Sequence, residues 1–268
     1  MNFNPDNVMT FFSKTDTYSS APRDLPWFVK RFPNLVFYPR ILKCIWDAAQ
    51  LSKAGKFDDE MFAVHSLRIM DILESVGVTI QIENISRIRN LPSASVFVAN
   101  HMSMLETFVL PGIIIPIRRV TFVIKESLLE YPVFKHVMRS RDPITVSRTN
   151  PREDFKAVMD GGSSRLEQGI SLIIFPQTTR TDTLDPKMFN TIGIKLARKA
   201  KVPVVPIALK TDAWAKGWPI KDMGKIDPGK KVHIYIGNPI TITGSGKREH
   251  EEVIRLIDEK LTLWRNSH

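Results

Sequence analysis

A chain of 268 residues with 43% hydrophobic and 25% charged side chains is long enough to bury a substantial core and too apolar to stay disordered. Its 38 Lys and Arg against 28 Asp and Glu give a formal charge of +10, which calls for an anionic partner: lipid headgroups, nucleic acid or an acidic protein. The single cysteine, Cys44, excludes a disulfide within the chain and fits a reducing compartment.

Residues 1–24 are polar, lack the basic, apolar and small-residue pattern of a secretory leader, and read as loosely structured. From Leu25 to Gln50 aromatics (Trp27, Phe28, Phe32, Trp46) are interleaved with Lys30, Arg31, Arg40 and Lys43. Two readings are open: an amphipathic element at the headgroup boundary of a bilayer, or an N-terminal arm packed on the main domain. A helical pattern over Phe57–Val76 ends at Gly77. The expected division is a helical, membrane-associating segment over 1–77 and an α/β domain over 78–268.

After Gly77 short β-like runs alternate with helical ones. Strands are predicted at Val78–Ile82, Ser95–Ala99, Val120–Ile124, Ile144–Val146, Ser171–Phe175, Val204–Leu209 and Val232–Ile236. Helices are predicted at Pro151–Gln168, Phe189–Ala200 and Glu251–Trp264. The alternation predicts an α/β fold, with a mixed, largely parallel central sheet flanked by helices. The longest apolar run, Phe108–Ile117, is broken by Pro111 and Pro116 and falls short of the ~20 residues a spanning helix needs. Contact with a membrane would therefore be peripheral.

In such sheets chemistry sits just past the carboxyl ends of strands. His101 follows the Ser95–Ala99 strand, with Glu106 five positions on. If His101 lies in the loop, Glu106 reaches back to fix its tautomer and raise its basicity. Ser103-x-x-Glu106 is equally a capping box. After Ser171–Phe175 come Pro176, Gln177, Thr178, Thr179, Arg180 and Thr181, a donor cluster with a cationic fork suited to phosphate or carboxylate, or an ordinary turn. Arg148 is a further cation at a strand end. The six histidines show no paired metal-ligand spacing. No zinc pattern, RNP-like strand or recognition helix supports a nucleic-acid partner.

The succession Asn100-His101-x-Ser103-x-x-Glu106, Lys125-Glu126, Arg148, Phe175-Pro176-x-x-Thr179-Arg180-Thr181, Val204-Val205-Pro206-Ile207 and Ile236-Gly237-x-Pro239-Ile240 resembles the glycerolipid acyltransferase family, which includes the lysophosphatidate acyltransferases. The resemblance covers roughly Ser95 to Ile240. It implies acyl transfer from acyl-CoA or an acidic acyl carrier protein to a hydroxyl of a lysophospholipid or glycerol-phosphate acceptor, at the cytoplasmic face of an anionic membrane. His101 would be the general base and Glu106 its orienter. Lys125, Arg148, Gln177, Thr178, Thr179 and Arg180 would bind substrate, with no cofactor beyond the thioester co-substrate. Glu106 replaces the family's usual Asp, and Gln177-Thr178 replaces Glu-Gly, which leaves Arg180 without its neighbouring carboxylate. A different lysolipid or lyso-aminolipid acceptor, or a catalytically silent lipid-binding protein of the same fold, are the alternatives these departures imply.

Overall fold

The computed structural model describes residues 5–131, 134–177, 179–218 and 222–266. In chain order the elements are α1 (Pro5–Lys14), β1 (Tyr18–Ser19), α2 (Trp27–Arg31), α3 (Pro33–Lys53), α4 (Asp59–Glu74), β2 (Ile80–Glu83), α5 (Ser86–Arg89), β3 (Val96–Ala99), α6 (Leu105–Ile114), β4 (Val120–Lys125), α7 (Phe134–Ser140), β5 (Ile144–Val146), α8 (Pro151–Glu167), β6 (Ser171–Ile174), α9 (Ile192–Ala200), β7 (Val204–Lys210), β8 (Val232–Ile236) and α10 (Lys247–Asn266). The strands form one sheet in the order β1-β2-β8-β7-β3-β6-β4-β5. Only the β1–β2 and β7–β8 pairs are antiparallel, so the sheet is mixed and largely parallel, as expected.

The central strands are buried on both faces, and their alternation sorts residues between two helical layers. Val96 and Val98 of β3, with Leu172 and Ile174 of β6, face α8, α9 and α10. Phe97 and Ala99, with Ile173, Val205 and Ile207, face the layer of α1, α3, α4, α6 and α7. The side chains at the start of α4 explain its boundary. Asp58 accepts the Met61 N–H at 2.9 Å, and Asp59 and Glu60 oppose the helix dipole. At its end Gly77 has φ +96°. The Val78 N–H reaches the Leu73 carbonyl and the Gly77 N–H that of Glu74, the paired bonds of a Schellman stop.

Two expectations need correction. Residues 1–24 are not loose throughout: α1 is a ten-residue helix whose Phe12 is completely buried. Arg89 donates to the Phe12 and Thr15 carbonyls, satisfying groups that a helix end leaves without partners. The apolar run after Glu106 is also not stopped by its first proline, because α6 continues through Pro111. Burial of nearly the whole helix against α4 and the sheet outweighs the one hydrogen bond that Pro removes.

Leu25–Gln50 packs on the main domain, as the second reading expected, and its outer face is apolar. Phe37, Ile41, Cys44 and Ala48 of α3 are buried in the sheet's own core. Trp27 is 74% exposed and Leu35 73%, with Phe28, Phe32, Leu42 and Trp46 also exposed. No helix among the described residues is long and apolar enough to cross a membrane.

Candidate active site

The site begins where β3 ends. Asn100 is buried, and its amide closes a two-bond ring with Leu209 of β7, donating to the carbonyl at 2.7 Å and accepting the N–H at 2.8 Å. That clamp fixes where the chain leaves the sheet. His101 follows in an irregular turn, so the spacing of five to Glu106 is not that of one continuous helix. The His101 Nδ1 lies 3.3 Å from Glu106 Oε2.

Glu106 is completely buried and its oxygens face donors. Met102 and Ser103 N–H groups reach Oε1 at 2.8 and 2.9 Å, Ser103 N–H also reaches Oε2 at 3.1 Å, and the Thr211 hydroxyl donates to Oε1 at 2.5 Å. Ser103 Oγ accepts the Leu105 N–H at 3.1 Å. The capping reading and the dyad reading are thus one arrangement: the carboxylate ties down the turn and holds the imidazole at the same time.

The loop after β6 supports this turn from the other side. Gln177, expected among the substrate contacts, is buried, with its amide committed inside the protein. Its Oε1 accepts the His101 N–H at 2.7 Å and its Nε2 donates to Thr181 at 2.8 Å. The Thr181 N–H in turn donates to the His101 carbonyl. The amide here acts as a donor and an acceptor at once, which a carboxylate could not do. Phe175 stacks on the His101 ring, centroids 4.4 Å apart.

Arg180 does not lack a carboxylate. Asp222 lies 2.6 Å from its Nη2, supplying from a distant loop the charge that Gln177 does not. Thr179 is exposed in the turn, and Thr178 lies outside the described residues. Thr211 and Asp222 carry no local signal of a role at the site, whereas Phe175 opens the Phe175-Pro176-x-x-Thr179-Arg180-Thr181 block.

His101 opens onto a cavity of about 160 Å³ between the sheet and α3, α4, α6 and α7. Lys125, Arg148, Arg180 and His101 line it together with the aromatic rings of Phe108, Phe122, Phe134 and Phe175. The sequence-selected cations therefore converge on one site from the ends of β4, β5 and β6. Arg148 adopts φ +62°, held by its N–H donating to Asp154 at 2.7 Å. Cys44, which the sequence placed outside the motif set, also lines the cavity. Burial pushes its thiol up to about 11, which suits a packing role rather than a nucleophile.

A mixed α/β sheet with a His–carboxylate pair at a strand end, opening on a largely apolar cavity rimmed by cations, defines a class of group-transfer protein. The Acyltransferase family profile matches residues 79–210. The chain is similar to the 1-acyl-sn-glycerol-3-phosphate acyltransferase of Pseudomonas aeruginosa, 29% identical over 203 residues, covering 76% of this chain and 72% of that one. It is 27% identical over 124 residues to the enzyme of the same name from Cocos nucifera, covering 46% of this chain and 40% of that protein. The crystal structure of the 1-acyl-sn-glycerophosphate acyltransferase from Thermotoga maritima shares the fold, with a TM-score of 0.60 at 18% identity over 96% of this chain and 95% of that one. The chain is an acyltransferase, and the profile and the relatives support the glycerolipid acyltransferase family for it.

Proposed function

We propose that the chain is a membrane-associated O-acyltransferase that moves a fatty acyl group from acyl-CoA or acyl carrier protein to a hydroxyl of a lysophospholipid or glycerol-phosphate acceptor. The observation that carries this reading is the placement of the His101–Glu106 pair at the mouth of an apolar cavity flanked by Arg148 and Arg180. With Nδ1 facing Glu106, the other ring nitrogen takes the acceptor's hydroxyl proton as its oxygen attacks the thioester carbonyl. The tetrahedral intermediate then collapses to ester and thiolate, which regains the proton from the imidazolium. A base so placed typically contributes ~10²–10⁴-fold. The Phe175 ring against the imidazole stabilises its cationic form through the ring quadrupole.

The relatives are named for an acceptor carrying a phosphate, a group that Arg148 and Arg180 suit as planar forks. A lysolipid with another headgroup is the second reading, because Asp222 neutralises part of the charge Arg180 offers. Attachment would use the exposed stripe of Trp27, Leu35 and Trp46 with the basic residues between them.

The test is thiol release from palmitoyl thioesters by purified protein on anionic vesicles. The acceptors are lysophosphatidate, glycerol 3-phosphate and lysolipids with other headgroups, with products read by mass spectrometry. Acceptor-dependent release is expected, largest for one phosphate-bearing acceptor. Release that no acceptor accelerates would remove the proposal.

A further inference from the structure

The donors that hold the Glu106 carboxylate are not alike. The Met102 and Ser103 N–H groups belong to the same turn as His101. The Thr211 hydroxyl, 2.5 Å from Oε1, comes from another element, directly after β7. That strand is buried at every position, and its end is braced. Lys210 lies 3.1 Å from one Asp212 oxygen, and Lys230 lies 3.0 Å from the other. Thr211, between Lys210 and Asp212, is completely buried, and among the described residues it takes no part in the cavity wall. A hydroxyl so placed can act on the reaction only through Glu106.

That carboxylate needs a reference outside its own turn. The last side-chain torsion of a glutamate is broad, so hydrogen bonds decide how its two oxygens are turned. Oε1 takes the Thr211 hydroxyl and two N–H groups, which leaves Oε2 to the imidazole and a second, longer contact from Ser103. The contact to His101 Nδ1, at 3.3 Å, is the longest of these and the first to be lost if the group rotates. The other end of the turn is tied to β7 as well, through the Asn100–Leu209 ring. His101 is therefore suspended between two attachments to the end of one buried strand.

We propose that Thr211 is a positioning residue for the reaction: its hydroxyl fixes the rotation of the Glu106 carboxylate and, through it, the tautomer and direction of the His101 ring. The inference rests on the reading of His101 as the base. With Oε1 held, Oε2 keeps the proton on Nδ1, and the lone pair stays on the nitrogen that meets the acceptor. Without the hydroxyl the carboxylate can turn and the ring can exchange tautomers. A share of the molecules then presents an N–H where a base is needed. The competing role is stability alone, a donor that satisfies a buried carboxylate. Such a donor would alter the urea midpoint and leave turnover per folded molecule as it was.

The test compares Thr211→Val, which keeps the shape, with Thr211→Ser, which keeps the hydroxyl, on anionic vesicles with a palmitoyl thioester and lysophosphatidate. Thr211→Val should lose ~10- to 100-fold in kcat per folded molecule, the range for one hydrogen bond to a charged group, with KM for both substrates little changed. Thr211→Ser should recover most of that loss. If Thr211→Val does not fold, Thr211→Ser against Thr211→Ala decides the point, because serine and alanine differ by the hydroxyl alone. Equal kcat with and without the hydroxyl, or a loss confined to KM, would overturn the proposal. His101→Ala is measured beside these variants. If it keeps the rate, or if no thioester is consumed, the base reading fails and the ring itself decides. Nitrogen NMR shifts of the His101 imidazole, assigned by their loss in His101→Ala, should show one tautomer in the natural protein and a mixture in Thr211→Ala. One unchanged tautomer in both overturns the proposal.

Discussion

The two helical layers meet the sheet in different ways. On one side α8 and α9 close in on glycines: a Cβ at Gly162 would come within 2.6 Å of Leu196, and one at Gly193 within 2.7 Å of Val98. On the other side α4 also closes on a glycine of α6, Gly112 beside Ser66, but α3, α4, α6 and α7 together leave the cavity with His101 at its mouth. The fitted layer supports the strands, and the hollow layer holds what the strands present. A cavity of this kind needs a backing that does not give, because interiors pack like crystals and transmit strain.

That division makes the layers separable by mutation. The largest effect is expected from His101→Ala on the hollow side, a loss of ~10²–10⁴-fold in acyl transfer with the thermal midpoint unchanged. A near-normal rate would place the base elsewhere. Leu196→Ala on the fitted side should instead cost ~2–5 kcal/mol of stability, seen as a lower urea midpoint, while kcat per folded molecule is retained. A matching fall in kcat would show that the two layers are coupled. The smallest effect is expected at the end of α9, where Lys201 holds φ +54°. Lys201→Gly should relieve ~1 kcal/mol of left-handed backbone strain, offset in part by the freedom that glycine adds to the unfolded chain. A midpoint that falls would show that the lysine stem packs usefully there.

The sheet was legible because its strands are short β-branched runs separated by helical periodicity, and the predicted strand positions fall within one or two residues of those observed. His101, Glu106, Arg148 and Arg180 were legible because each stands in the first residues after a strand or opens the next helix. Other parts of the site had no local signature. Thr211 reaches Glu106 across 105 positions, and Asp222 reaches Arg180 from another loop. Neither contact leaves a periodicity or a turn signal behind. Gln177 was visible as a departure, but its use was not. Its backbone partner, His101, lies 76 positions away, so the loss of a charge in the sequence hid the gain of a structural latch. The helix α1 was hidden for the same reason, since Phe12 and the Arg89 bonds that hold it are tertiary.

One helix carries a consequence for handling the protein. Along α3, Trp46 and Leu42 look outward, Phe37 and Ile41 belong to the core, and Cys44, Ile45 and Ala48 form part of the cavity wall. Trimming the N-terminal region to obtain a detergent-free preparation would therefore remove a wall of the cavity at His101 along with the exposed apolar surface. An inactive truncated protein would then say nothing about lipid dependence. Solubility has to be altered residue by residue, at Trp27, Leu35 or Trp46, where the outer surface changes and the cavity keeps its wall.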